Sequence, residues 1–384
     1  MTDLIVVSHA CFTAINRNLY HLFEKDGWKL EIVVPKTLIF SSGEKKAEPP
    51  QPGDPPLHYL DLIGKNPRTY YFKNLIGLLD EKRPRIILLD NDPVSRLSIQ
   101  LGRWTKKNNA WLFCVSNENL PLDISSAVTR RGWKAAPAAI LKRMMLRETK
   151  ALVDGIFTVN HDGEKLFKQE GYVNVRHMPL GFDPVYFYPD REARERIRKE
   201  LALNGCVVSY FGRLTPEKGI HILIQALGEL KQYAWQLLMD SFDPSTSSYH
   251  AEINRCLAEA GIADRVVFIN PSHTGIAAYM NAADIVVVPS VTTPAWKEQY
   301  GRVAAEAMAC GKTVIASDSG ALPDLLNGYG YLFEEGNAAR LKDILEKLLS
   351  GSGNGLLNES AISGYARENL SIQKQKTVIE EAFR

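Results

Sequence analysis

The sequence predicts an α/β protein of two domains in series, each a parallel sheet flanked by helices. Three observations predict it. Short apolar runs rich in β-branched residues alternate with amphipathic stretches along all 384 residues, the pattern of strands buried on both faces and the helices that connect them. The chain is longer than the roughly 250 to 300 residues at which a single core stops growing. Its charge also divides unevenly. Residues 1–200 hold 31 basic and 24 acidic side chains, a net of +7, and residues 201–384 hold 15 and 20, a net of −5. The sum of +2 excludes a disordered polyelectrolyte and argues against a dedicated nucleic-acid binder, since either would show a one-sided excess. The surplus in the first half suits an anionic partner there.

In the first domain the expected strands are LIVVS (4–8), LEIVVP (30–35), IILLD (86–90), WLFCVS (111–116) and GIFTVN (155–160). Between the first two, AINRNLYHLFEKDG reads as a helix with Leu19, Leu22 and Phe23 on one face and a glycine stop. Residues 40–57 are dense in Pro, Gly and charge and read as a mobile surface loop.

The second domain repeats the alternation with strands at 206–211, 235–239, 266–269, 284–289, 313–316 and 330–333. MPLGFDPVYFYPD (178–190), with three prolines and exposed aromatics, reads as the interdomain linker. The expected division is therefore 1–178, 179–364, and a final helix over 365–384 that follows the SGSGNG loop and crosses back to the first domain.

The five cysteines are odd in number, far apart and without CxxC spacing, which fits a reducing cytoplasm and no zinc or redox site. No apolar run approaches the ~18 residues of a membrane span, and the short LIVV run beside Asp3 is not a signal peptide. The expected location is the cytoplasm.

Two stretches carry chemistry. YFGRLTPEKG (210–219) ends a strand, turns through Gly212 and opens a helix near Pro216. Arg213 and Lys218 thus sit at a strand C-terminus, where open α/β sheets bind ligands, and two cations there suit a diphosphate. A solvated loop is the competing reading. In PSVTTPAWKEQYGRVAAEAMACG a helix is expected to begin near Gly301, with Glu298 just before it and Glu306 within it on the same side. The amides of Gly301, Arg302 and Val303 would be unpaired donors at a positive helix end. An ordinary amphipathic helix with surface glutamates fits the spacing equally well.

FGRLTPEKG, the pair Glu298 and Glu306 in EQYGRVAAEAMACG, and SDSGALPDLL together resemble the signature of retaining glycosyltransferase family 4, closely from about Pro179 to Ser317. The resemblance implies the GT-B fold, two Rossmann-like domains facing across a cleft. It implies a nucleotide-diphosphate sugar as donor substrate, a glycan, lipid-linked or small-molecule hydroxyl as acceptor, and neither cofactor nor metal. It implies catalytic roles for Arg213, Lys218 and Glu298. Arg213 and Lys218 would bind the diphosphate and neutralise the leaving nucleotide, and Glu298 would contact the sugar. Glu306 would hold the ribose hydroxyls. Gly212, Tyr300, Gly301, Arg302 and Val303 would complete the donor site. The family's usual mechanism is front-face displacement, with the leaving phosphate taking the acceptor proton, so no protein general base is assigned.

The chain departs from the family in its first half. Relatives carry a glycine-rich turn after the first strand, and here His9, Asn16 and Arg17 stand in a glycine-free SHACFTAINRN. They either contact acceptor or phosphate or cap their own helix. Relatives often place a histidine after the strand corresponding to WLFCVS, where this chain has Ser116, Asn117, Glu118 and Asn119. Asn117 or Glu118 then touches the sugar or forms a structural turn. After WQLLM, Asp240 and Ser241 replace a glycine-rich turn, leaving the base open. His161 in VNHDG would face the cleft, though a lone histidine is more often structural. Asp90, Asn91 and Asp92 imitate the metal-binding DxD of another fold, a reading the two-domain pattern rejects.

Residues 101–150 carry 10 basic and 3 acidic side chains. Within them, 130–147 place Trp133 among Arg130, Arg131 and Lys134, ahead of a helix with Lys142, Arg143 and Arg147. This stretch suits an anionic membrane surface, which would put the protein at the inner membrane face, or a lipid-linked acceptor. A solvated helix face is the commoner outcome, with Ile140, Met144, Leu146 and Leu152 as core contacts. The rival functions are a sugar-nucleotide epimerase or hydrolase of the same fold, and a non-catalytic sugar-nucleotide binding protein.

Overall fold

The computed structural model describes residues 2–40, 43–64, 66–240, 248–272, 275–351 and 356–384. The chain divides into two units, Met1–Gly181 with Ile372–Arg384, and Phe182–Ser371. Ser241, part of the 40–57 loop and the end of SGSGNG lie outside the described residues.

The first unit is built on a seven-stranded parallel sheet. Its order is Val175–His177, Gly155–Thr158, Trp111–Ser116, Ile86–Asp90, Leu4–Ser8, Leu30–Pro35, Leu57–Leu60. Four strands fall where the sequence puts them. The fifth stops at Thr158 because Asn160 turns away to cap the next helix, its side chain accepting from the Gly163 amide at 2.6 Å. The two edge strands were not legible. Leu57–Leu60 is only half-buried and Val175–His177 is three residues long, so neither shows a sustained apolar run.

The 40–57 segment is more structured than its composition suggests. Thr37–Phe40 and Gly43–Lys46 pair as an antiparallel hairpin. The chain beyond folds over the fully buried Arg17, whose guanidinium donates to the carbonyls of Cys11, Glu48 and Pro49 and lies 2.8 Å from Asp54. A planar, multi-donor cation can satisfy that many acceptors at once.

The second unit holds a six-stranded parallel sheet ordered Val266–Ile269, Trp235–Asp240, Cys206–Tyr210, Ile285–Val288, Thr313–Ser317, Tyr331–Phe333. All six expected strands are present, several shifted by one residue at an end. Strand order reverses between Cys206–Tyr210 and Ile285–Val288, paired through Val208 with Ile285. In the first sheet it reverses between Leu4–Ser8 and Ile86–Asp90. Such switch points leave a crevice at the strands' carboxyl ends.

The expected linker is largely part of the second unit, whose first residue is Phe182. Phe182 and Phe187 are buried against one another, and of the linker's aromatic residues Tyr186 and Tyr188 are exposed. The expected helix over 365–384 is two helices, Glu359–Asn369 and Ile372–Phe383. It breaks where the Leu370 carbonyl accepts from the Phe182 amide. Only the second belongs to the first unit, where Phe383 lies 4.9 Å from the ring of Phe113 and 5.7 Å from that of Trp28. Glu380 accepts from Trp28 at 2.8 Å, and Lys376 bonds both Glu380 and Asp26. Among the described residues no helix is long and apolar enough to cross a membrane.

Candidate active site

The switch point of the second sheet is extended by two loops, Phe211–Gly219 and Pro289–Gly301, which lock together through their backbones. The Val291 amide donates to the Glu217 carbonyl at 2.8 Å. Gly219 has φ +68°, and a Cβ there would stand 1.8 Å from the Pro289 carbonyl oxygen, so only glycine permits this approach. Gly212 turns the first loop with φ +152°, and the Tyr210 hydroxyl donates to the Arg213 carbonyl at 2.8 Å.

These loops bring Lys218 and Glu298 into contact, with Nζ 2.7 Å from Oε2. Glu298 is buried and its carboxylate also accepts from Ser290 Oγ at 2.7 Å, while Ser317 Oγ donates to the Ser290 carbonyl at 2.6 Å. Lys218 also sits 4.6 Å above the ring of Trp296, a favourable seat for a cation. Sequence reasoning did not single out Ser290 or Trp296. Arg213 is exposed and makes no ion pair among the described residues.

The expected helix is Arg302–Ala309, with Gly301 as its N-cap at φ +90°. A Cβ on Gly301 would meet Leu322 Cδ2 at 2.6 Å. The left-handed turn leaves the first-turn amides of Arg302 and Val303 outside the intrahelical ladder. Tyr300 is buried just before it. Glu306, in the helix, is buried and makes no side-chain hydrogen bond or ion pair among the described residues. Burial pushes its carboxyl up to about 7, with the charge of Arg302 opposing. A carboxylate left alone and desolvated beside a ligand crevice is a common mark of a functional group. Because the helix starts only at Arg302, helical spacing does not join the two glutamates, and it is Lys218 that Glu298 meets.

In the first unit the candidates separate. His9 is exposed, its Nδ1 3.1 Å from the Asp90 carbonyl, and Asn16 donates to the Ala10 carbonyl at 2.7 Å. Asn16 and Arg17 thus shape their own loop. Glu118 centres a network that the sequence hid. Lys142 lies 2.7 Å and Arg68 3.0 Å from its Oε2. Burial would raise the Glu118 carboxyl, but Lys142 and Arg68 hold it below the usual range. Asp92 accepts from Ser116 Oγ beside them, and its carboxyl is pushed up by burial and by the charge of Glu118. Gly163 admits the Glu118 carbonyl, which a Cβ there would meet at 2.4 Å. That contact seats the helix His161–Gln169 beside the Glu118 segment. His161 is half-exposed, bonds Glu164 at 3.0 Å and packs on His177 with centroids 4.1 Å apart. Asn117 is exposed. Asp90 accepts from Ser8 Oγ at 2.7 Å, and among the described residues no group of three metal-ligating side chains is assembled.

Comparison with known proteins bears mainly on the second unit. Residues 193–368 match the family model described as glycosyl transferases group 1. The chain is 31% identical over 185 residues to D-inositol 3-phosphate glycosyltransferase of Acidothermus cellulolyticus, covering 46% of this chain and 40% of that protein. It is 33% identical over 209 residues to the protein of the same name from Corynebacterium jeikeium, covering 50% and 49%. The chain therefore spans less than half the length of these relatives. Among solved structures, Anabaena HepE in complex with UDP and glucose superposes with a TM-score of 0.72 at 16% identity, covering 100% of this chain and 99% of that one. The fold is GT-B, and residues 193–368 of the second unit resemble group 1 glycosyl transferases.

Proposed function

We propose that the protein is a retaining glycosyltransferase of family 4, moving a hexose-type sugar from a nucleoside-diphosphate sugar to a hydroxyl acceptor without a metal. The observation that carries this reading is the convergence, at the second sheet's switch point, of Lys218, Glu298, the Gly301 helix start and buried Glu306. The names of the relatives support a glycosyl transfer, and the HepE complex supports a nucleotide-sugar donor.

An ammonium has three donors, so Lys218 can keep Glu298 and still bond a phosphate oxygen. Arg213, exposed on the same loop, supplies the second cation. The Arg302 and Val303 amides receive the distal phosphate, and Gly212 and Gly301 allow the close approach. Glu306 accepts from the ribose hydroxyls, Tyr300 packs beneath the helix start, and Glu298 holds the sugar. The bond from the anomeric carbon to the phosphate breaks, and a bond to the acceptor oxygen forms on the same face. The acceptor proton passes to the departing phosphate oxygen, leaving nucleoside diphosphate. Arg213 and Lys218 stabilise the charge that grows there. His9, Asn117, Glu118 and His161, at the carboxyl ends of the first sheet's strands, are assigned to the acceptor or sugar. Asn16 acts only through the loop it braces.

The test is a thermal-shift screen with UDP, GDP, ADP and dTDP sugars, followed by product analysis with and without acceptor. A ligand that binds only the native state raises its melting temperature. Anomer-retaining transfer in chelator supports the proposal. Sugar release or epimerisation without acceptor would replace it with the rival enzyme reading.

A further inference from the structure

Helix Ala136–Thr149 in the first unit has apolar residues on two opposite sides, and only one is needed for folding. Ala139 and Leu146 are buried against the unit. On the other side Ile140 is 48% exposed, Leu141 48% and Met144 63%, with Trp133 in the preceding turn 76% exposed. This overturns the expectation that Ile140 and Met144 are core contacts. At 100° per residue, residues 140, 141 and 144 fall within about one third of the helix circumference, a single stripe. Clustered large apolar side chains that folding leaves in water mark a docking surface.

Charge says what docks there. Residues 130–147 contain six Lys and Arg and no Asp or Glu. Two of the six are neutralised on the inner side, Lys142 by Glu118 and Arg143 by Glu170. Lys134 and Arg147 are exposed beside the stripe and make no ion pair among the described residues. Glu148, the nearest carboxylate along the chain, is held by Arg103 at 2.5 Å. An apolar stripe carrying tryptophan and bordered by unpaired cations complements a layer of anionic headgroups above hydrocarbon. A second copy of the chain would bring the same cations against each other.

We propose that Trp133 and the Ile140, Leu141 and Met144 stripe form a monotopic membrane-binding surface that lies in the interface of an anionic bilayer. The site chemistry described above is independent of it. The test is flotation of the full chain with vesicles of phosphatidylcholine containing phosphatidylglycerol, and with phosphatidylcholine alone. The expected result is binding to the anionic vesicles that weakens with salt. Ile140→Asp with Met144→Asp, and separately Lys134→Glu with Arg147→Glu, should each lower that binding at least about 10-fold. All four positions are exposed, so melting temperatures should stay near that of the parent chain. No flotation of the parent chain overturns the proposal, as does flotation that both pairs leave unchanged. A dimer in sedimentation that Ile140→Asp with Met144→Asp dissolves, without vesicle binding, assigns the stripe to self-association instead.

Discussion

Lys218 Nζ stands 2.7 Å from Glu298 Oε2, joining two loops 80 residues apart at the switch point of the second sheet. The carboxylate is buried and also accepts from Ser290 Oγ. Lys218→Ala should cut glycosyl transfer by about 100-fold or more. It should also lower the stability by about 1–3 kcal/mol, because Glu298 is left buried without its cation. Adding Glu298→Gln should recover the melting temperature but not the rate. A fully active, folded Lys218→Ala protein would remove Lys218 from the diphosphate site.

Glu306 gives a pH dependence whose sign is fixed by its environment. Its folded value of about 7 lies above its ordinary 4.5, so the native state binds the extra proton. Its contribution to stability is complete below pH 4.5 and is lost as the pH rises through about 7, by at most about 3 kcal/mol. Glu306→Gln should flatten that part of the curve of melting temperature against pH. Donor affinity should run the opposite way across the same window, since the ribose hydroxyls need the ionised acceptor. Calorimetric titration of donor at several pH values checks this.

Arg17→Met should destabilise the first unit by about 3–5 kcal/mol, read from the urea midpoint, because it leaves buried Asp54 without its cation and takes the guanidinium's donors from the carbonyls of Cys11, Glu48 and Pro49. Asp54→Asn in the same chain should return part of the loss. Burial would raise the Asp54 carboxyl, but the Gln51 amide, His21 and Arg17 hold it below its ordinary value. Its contribution is therefore present above about pH 4 and disappears as the pH falls through the depressed value.

Gly301→Ala should cost about 1–3 kcal/mol, since φ +90° strains any L side chain and the new Cβ would stand 2.6 Å from Leu322 Cδ2, which must move. It should also weaken nucleoside-diphosphate binding by turning the first amides of the helix away. Thermal melts with and without nucleotide separate the two effects. Equal nucleotide-induced shifts in both proteins would show that the helix start carries no phosphate.

The parallel sheets were legible because strands buried on both faces write themselves as unbroken apolar runs, as in IILLD and WLFCVS. The candidate residues of the second unit were legible for a different reason. Lys218, Glu298 and Gly301 stand in loops that follow such strands, where spacing alone fitted a solvated loop or an ordinary helix equally well, and the resemblance of their motifs singled them out. Leu57–Leu60 was missed because an edge strand buries too little to need such a run. The cluster around Glu118 was missed because Arg68, Asp92 and Lys142 come from a loop, a strand end and a helix face, and nothing in their local sequence relates them. Ile140 and Met144 read as core because helical spacing reports that a stripe is apolar without reporting what covers it.

The return of Ile372–Phe383 to the first unit sets an order on the ribosome. Phe113 and Trp28 emerge early, yet the ring that packs on both, Phe383, is synthesised after the whole of Phe182–Ser371. The second unit can therefore finish folding while the first still shows an apolar gap beside its sheet. Emergence of Ile372–Phe383, rather than of Met1–Gly181, is the event that completes the first unit's core.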